Sequence, residues 1–414
     1  MKLKNNFFVI YYFLLYLSLI IGFYFNEDFA GGFKYDFEIH EGLIKDLFND
    51  SLIYGLLNYD RNYVPHSPIF IIYLVFLQKL FVSEEFFRLI NLHIFLLIPW
   101  LTSVCLKTKY GLKNNDFRLL LPSIFFLSPF FRSGAIWTDD NIFAIIFFLI
   151  SILYFIKYER NKTKFKYIIF CTFFLALTSY FRPIYCLFSI YFTITFFINL
   201  KLSKNFFYYI LINILFAFPA FYYVFILEIN KWAVNYIFRE NFITHFSLSS
   251  SIIFFYFFPF IYDKIYENRF KILNIKNLLI SFIFLLFLIS FFEYDRTYSG
   301  GIIFRLSTFL FSNNYLFFVI STLSTLIIFI LFFKDKKSII NLDIILIIIL
   351  YTFEIDGIVY HETYDPLIYI LILFLFKSEI IKQFVINFNK PKFLVLSTFL
   401  SFFYFASILK TFIY

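Results

Sequence analysis

The chain has 414 residues, 61% of them hydrophobic and only 15% charged, with 72 Phe and a net charge of +9. Soluble globular proteins are about half apolar and about a quarter charged, so this composition excludes them, and 10 Gly with 10 Pro exclude disordered and fibrous classes too. The basic excess segregates by membrane side rather than gathering into a basic domain, so no nucleic-acid partner is expected.

In chain order, apolar runs fall near residues 7–25, 68–82, 86–106, 119–131, 141–156, 167–181, 184–200, 206–226, 251–262, 278–292, 315–333, 344–353, 366–376 and 393–409. A span needs about 20 mainly apolar residues, fewer where flanking Lys and Arg reach back to the headgroups. The opening Met-Lys-Leu-Lys and the connectors 107–118, 157–166, 201–204, 264–276, 334–337 and 377–392 are all basic, which places them together on the cytoplasmic side. They can share that side only if a single segment between residues 26 and 106 crosses. The weaker segment is 68–82, which is short and has Pro65 and Pro68 at its start, so it is laid in the outer interface as an amphipathic or re-entrant helix.

The expectation is therefore an all-α, polytopic transmembrane helical protein of about 13 spans, with its amino terminus inside and its carboxyl terminus outside. It forms a single domain over 1–414, and its long first outer loop covers 26–85. This arrangement puts 24 Lys and Arg against 7 Asp and Glu inside, and 12 against 20 outside. No cleavable signal peptide is expected, because 7–25 is long, aromatic and lacks a small-residue cleavage site. Cys105, Cys171 and Cys186 lie in apolar stretches without metal or disulfide spacing and read as inert core residues. Asn49-Asp50-Ser51 and Asn161-Lys162-Thr163 fit the glycosylation triplet, a pattern short enough to arise by chance. No internal repeat is visible, nor a pair of broken helices in matching halves.

The outward-facing polar residues cluster. In Gly31-Gly32-Phe33-Lys34-Tyr35-Asp36-Phe37-Glu38-Ile39-His40-Glu41, a helix would put Asp36 and His40 on one face and Glu38 nearly opposite. A carboxylate beside an imidazole can serve as a general base; the alternative is a hydrated acidic loop. Trp137-Thr138-Asp139-Asp140 opens the next long apolar run, where two acids at a membrane helix mouth suit a functional site, a helix start with Thr138 or Asp139 as N-cap, or both. They could also hold a divalent metal, although two acids alone are weak evidence for one. Arg182 before Pro183, Arg305 after Gly300-Gly301, and His361 near Asp365-Pro366 sit in outer turns. Guanidinium groups in such places suit phosphate, with snorkelling to lipid headgroups as the alternative. His66 precedes the interfacial helix and would cap it, and His93 and His245 read as structural.

The order of these motifs resembles the GT-C superfamily of polyprenyl-phosphate-sugar-dependent glycosyltransferases. Within it, the chain is most similar to the dolichyl-phosphate-glucose alpha-1,2-glucosyltransferase family and its bacterial relatives. The resemblance covers about residues 1–190. It rests on Asp36-x-x-x-His40, the helix opened by His66-Ser67-Pro68, Phe87-Arg88-Leu89-Ile90-Asn91-Leu92, Trp137-Thr138-Asp139-Asp140 and Tyr180-Phe181-Arg182-Pro183. The family usually has adjacent Asp-Glu where this chain has Asp36-Phe37-Glu38, and a polar residue where it has Pro183. The sugar and linkage are therefore not carried over.

What the resemblance implies is inverting transfer from a polyprenyl-phosphate sugar donor to a glycan, lipid or protein acceptor on the non-cytoplasmic face. Asp36 would be the catalytic base, supported by Glu38, His40 and His66. Asp139 and Asp140 would hold the acceptor or a possible divalent cation, with no cofactor otherwise expected. Arg182, Arg305 and His361 would bind phosphate. A bacterial inner membrane with a periplasmic active site fits the chain. A transporter or flippase of a lipid-linked sugar is the main rival, expected to carry ionisable residues at span midpoints, and a noncatalytic scaffold is the other.

Overall fold

A computed structural model describes residues 5–48, 51–59, 67–81, 83–229, 242–294, 299–333, 341–353 and 358–413. All regular structure among these residues is helical. Among the described residues, eight helices are long and apolar enough to cross a bilayer: Phe7–Tyr24, Glu84–Tyr110, Asp140–Arg160, Pro183–Leu200, Lys204–Ile226, Phe242–Glu267, Tyr315–Phe332 and Lys390–Lys410. Each coincides with one of the apolar runs read as spans.

The other runs behave differently, for visible reasons. The run at 119–131 breaks at Ser128-Pro129, and Phe117–Leu127 and Pro129–Trp137 meet at 65°. Ser128 accepts the Phe131 N–H at 3.0 Å, so a new helix starts where hydropathy continues unbroken. Lys166–Phe181, Ile275–Phe291 and Leu342–Thr352 are apolar but only 10–17 residues long, and Leu367–Phe374 has 8 residues. At about 1.5 Å per residue such helices fall short of a hydrocarbon layer about 30 Å thick. Pro68–Leu80, placed at the interface from sequence, is also short. It buries Phe70, Ile71, Leu74, Val75 and Leu77 against its neighbours.

The chain divides into two compact units, Met1–Asn235 with Phe388–Tyr414, and Tyr236–Asn387. The first contains α1 (Asn5–Tyr24), α2 (Phe33–Phe48), α3 (Leu52–Leu57), α4 (Pro68–Leu80), α5 (Glu84–Phe95) and α6 (Leu97–Tyr110). It continues through α7 (Ile124–Leu127), α8 (Pro129–Trp137), α9 (Asp140–Arg160), α10 (Lys166–Phe181), α11 (Phe188–Leu200) and α12 (Lys204–Phe221). The helix Lys390–Ile413 also belongs to this unit.

A buried ion pair ties its distant segments together. Arg132 on α8 donates from Nε and Nη2 to the two carboxylate oxygens of Glu27, each at 2.6 Å, and the side chains are only 3% and 2% exposed. Arg132 also donates to Ser18 Oγ at 2.9 Å and Ser18 O at 3.0 Å on α1. Tyr404 of the closing helix donates to Glu27 Oε2 at 3.3 Å and lies 5.0 Å beneath the guanidinium. The Trp137 indole N–H reaches the Glu27 carbonyl at 3.0 Å. A second arginine, Arg88 on α5, stacks 3.6 Å from the Trp137 ring and donates to the Ile136 carbonyl at 3.2 Å.

In the second unit, α13 (Phe242–Glu267) runs through the centre with Ser247, Ser249, Ser250 and Ser251 buried. Their small side chains let neighbours pack closely, and their hydroxyls are matched. Ser250 meets the Tyr351 hydroxyl at 2.9 Å, Ser249 meets that of Tyr364 at 2.9 Å, and the Ser321 hydroxyl donates to the Ser247 carbonyl at 2.7 Å. Tyr256 donates to Asp365 Oδ2 at 2.9 Å, and both residues are fully buried.

The pair in the first unit makes a testable demand. Removing one member leaves a buried charge alone, which costs about 3–5 kcal/mol. Arg132→Met and Glu27→Leu are each expected to lower the melting temperature in detergent strongly. The double variant is expected to recover much of the loss, because the partners' effects are coupled.

Candidate functional site

Two of the acids singled out from sequence stand at the start of α9, and the charge of a third, Asp36, is felt there from α2. Asp36 lies in the first turn of α2, which begins after Gly31 and Gly32 take φ values of 81° and 106° that only glycine adopts freely. The Asp28 carboxylate receives the N–H groups of Gly31, Gly32 and Lys34, each at 3.2 Å, and so caps the helix. Burial outweighs these bonds and pushes the Asp28 carboxyl up. Phe33, Phe37, His40 and Ile44 face inward, Asp36 is half-buried, and Glu38 points to solvent with Lys34 at 4.0 Å. The His40 ring meets Phe70 of α4 edge-on at 5.3 Å.

At α9, Asp139 is the N-cap and accepts the Ile142 N–H at 2.9 Å. Asp140 is the first helical residue and is 1% exposed. Its two oxygens lie 3.2 and 3.3 Å from Arg182 Nη1. Consecutive residues at a helix start diverge by about 100°, so the two adjacent acids face different surroundings. Burial raises the Asp139 carboxyl most, then the Asp140 charge; Arg182 and the Ile142 N–H oppose them, and Asp36 adds a further push upward. The result is a value of about 7. That push places Asp36 within electrostatic reach of Asp139.

Gly134 permits the approach. A Cβ there would lie 2.7 Å from Ile142 Cγ1 and 3.2 Å from both Asp139 Cβ and Phe33 Cε1. Any side chain would separate α8, α9 and α2. Beside Asp140, Tyr185 donates to Asn141 Oδ1 at 2.9 Å. Burial raises the Tyr59 hydroxyl, then the charges of Tyr223 and Asp140, so this phenol stays neutral near the acid centre. Ser67 caps α4 and its hydroxyl donates to the Tyr180 carbonyl, fixing α4 to the end of α10 from which Arg182 follows.

Arg305 and His361 belong to the second unit. Arg305 is half-buried on the helix Gly301–Phe311. His361 is buried with its ring edge-on to Tyr256 at 5.1 Å and Phe255 at 5.8 Å. His66 lies outside the described residues. Among the described residues no three His, Cys, Asp or Glu side chains gather to hold a metal ion.

The sequence offers Thr138 or Asp139 as the N-cap of α9; Asp139 takes that place, and Thr138 falls in the turn before it. This β-branched residue sits at φ 62° and ψ 77°, and its hydroxyl is buried without a hydrogen-bond partner among the described residues. Such strain costs of order 1–3 kcal/mol and concentrates at functional turns. Its signal was a Thr between Trp and two acids at a helix start. The sequence assigned no role to Arg88 or Arg132, whose partners Ile136 and Glu27 lie far along the chain. No family model, curated protein or solved structure matches this chain.

Asp139 predicts a pH dependence. Its folded-state value lies above that of an unfolded Asp, so the native state binds this proton more tightly. The stabilisation is complete below about 3.9 and is lost as pH climbs through the raised value. Thermal unfolding is expected to show lower stability at about pH 8 than at about pH 5, by on the order of 2 kcal/mol. Asp139→Asn keeps an N-cap and is expected to flatten that difference.

Proposed function

We propose that this chain is a membrane glycosyltransferase of GT-C type, moving a sugar from a polyprenyl-phosphate donor to a glycan, lipid or protein acceptor. The observation that supports it best is Asp139 and the buried Asp140–Arg182 pair at one helix start, with the Asp36 charge felt there from α2. In this reading the acceptor hydroxyl attacks the anomeric carbon and its proton passes to the Asp36 carboxylate. The bond to phosphate breaks, and lipid phosphate leaves from the opposite face with inversion. Asp139 faces the acceptor. A divalent cation at this acid pair remains part of the proposal. The phosphate roles of Arg182, Arg305 and His361 rest on the sequence alone.

The same reading keeps thirteen spans, with the short and bent helices counted as crossings, a periplasmic acid centre and a bacterial inner membrane. Its support is the partition of basic connectors to one side. A flippase of lipid-linked sugar is the second reading, which would call for ionisable residues at span midpoints. Transfer of label to an acceptor by purified protein in detergent separates the two, since a flippase needs a sealed bilayer and forms no new glycosidic bond.

Asp36→Asn keeps the shape of the side chain and removes its basicity. The protein is expected to insert and melt like the wild type and to lose transfer from labelled polyprenyl-phosphate sugars by about 100-fold or more. Retained transfer would remove Asp36 as base.

A further inference from the structure

We propose that the joined ends of α9, α10, α11 and α12 form a binding site for the headgroups of anionic phospholipids, in the leaflet where those ends lie. The site stands on charge placement and does not depend on the transfer reaction or its acids.

Contacts within the first unit draw the four ends together. Tyr158 of α9 meets Phe196 of α11 edge-on at 5.2 Å, and Phe197 meets Phe206 of α12 at 5.3 Å. Lys162, in the turn between α9 and α10, donates to Asn199 Oδ1 at 2.6 Å. The two connectors at this end, 157–166 and 201–204, hold seven Lys and Arg against a single acid, Glu159. Among the described residues none of the seven pairs with a carboxylate. Four of them lie over tyrosines instead: Lys157 over Tyr154 at 4.9 Å, Lys164 and Lys166 over Tyr167 at 5.9 and 5.8 Å, and Lys204 over Tyr208 at 5.5 Å. A ring face steadies a cation without cancelling its charge.

Where the charges sit on the helices points to an anion. Lys157 and Arg160 in the last turn of α9, and Lys201 at the end of α11, suit the negative end of a helix. Lys164, Lys166 and Lys204 do the opposite. They stand at the starts of α10 and α12, where the backbone already presents positive charge; neither first turn holds an acid, and no side chain caps either helix. Like charge on like is unfavourable unless an anion lies beside it, and a phosphate accepts from ammonium and backbone N–H groups alike.

The surroundings say which anion. α9, α11 and α12 belong to helices long and apolar enough to cross a bilayer, so their ends lie at headgroup depth. Close to the lysines, Phe170, Leu202, Phe207 and Tyr208 are exposed. Such side chains face acyl chains, with tyrosine at the boundary. A ligand with phosphate above and hydrocarbon below matches both layers, whereas a free anion matches one.

Native mass spectra of the full chain, released from detergent micelles doped with dioleoyl phosphatidylglycerol or dioleoyl phosphatidylcholine, give the ratio of lipid-bound to lipid-free protein. The wild type is expected to retain phosphatidylglycerol in preference to phosphatidylcholine, and excess inorganic phosphate is expected to leave it in place. Lys164→Gln, Lys166→Gln and Lys204→Gln change three exposed side chains. Combined, they are expected to lower retained phosphatidylglycerol about tenfold with the melting temperature unchanged. Removing three charges from the connector 264–276 of the second unit, as Lys264→Gln, Arg269→Gln and Lys276→Gln, is expected to lower it by less than about twofold. Equal retention of the two lipids would overturn the proposal, and so would displacement by inorganic phosphate, which would make a soluble anion the ligand. Unchanged retention in the first triple variant overturns it too, as do equal losses in both triple variants, which would reflect bulk charge alone. Should the first triple variant fail to fold, Lys204→Gln decides, with an expected loss of about threefold.

Discussion

The first unit depends on burying the Glu27–Arg132 pair. A guanidinium and a carboxylate removed from water cost several kcal/mol each, and their attraction offsets that only when geometry is good and the remaining donors are matched. Here they are: both carboxylate oxygens are engaged, and Ser18 and Tyr404 complete the set. Helix α1, the turn after it, α8 and the closing helix each contribute an atom. In an apolar surrounding, dispersion alone discriminates poorly between one helix register and the next. A bidentate pair does discriminate, since a shift of one residue would leave both charges bare. Gly22 shows how tight this is, as a Cβ there would lie 2.2 Å from Glu27 Oε2 and 2.9 Å from Arg132 Nη2.

That junction fixes the acid centre at one remove. Arg132 and Trp137 are on the same short helix, and Trp137 is held from one side by Glu27 and from the other by Arg88. One residue later the chain turns through the left-handed Thr138 into Asp139 and α9. The strain at Thr138 thus lies between two over-determined elements, which is the condition under which strain persists. On the other side, Phe33 packs against Gly134 and brings the first turn of α2 alongside. Asp36 comes within electrostatic reach of Asp139 because α2 and α9 both pack on α8 at Gly134.

Much of this could be read in the sequence, and the limits have physical causes. Helix α2 was legible from its 3.6-residue period: Asp36 and His40 share a face, and Glu38 lies on the solvent side with Lys34. The eight long helices were legible because about 20 apolar residues in a row have few other uses. Hydropathy failed at Ser128-Pro129, where apolar content is unchanged but the backbone breaks; the capping Ser and the proline behind it were the available signal. Ion pairing was not legible. Glu27 and Arg132 are 105 residues apart, and Asp140 and Arg182 are 42 apart. No local rule chooses among the charged residues near apolar runs. Arg182 was singled out by its turn, while its buried partner Asp140 was out of view.

The two adjacent acids at α9 show how a helix start separates functions that sequence joins. Asp139 and Asp140 are chemically identical and one peptide apart, yet one caps the helix and is half-buried while the other points into the packing and meets Arg182. The cause is the rotation of about 100° per residue at the first turn. The consequence is an asymmetry in charge: Asp140 is compensated, and its field still pushes the Asp139 proton affinity up. A pair of carboxylates kept in different states can hold and exchange a proton in a way that two equivalent ones cannot.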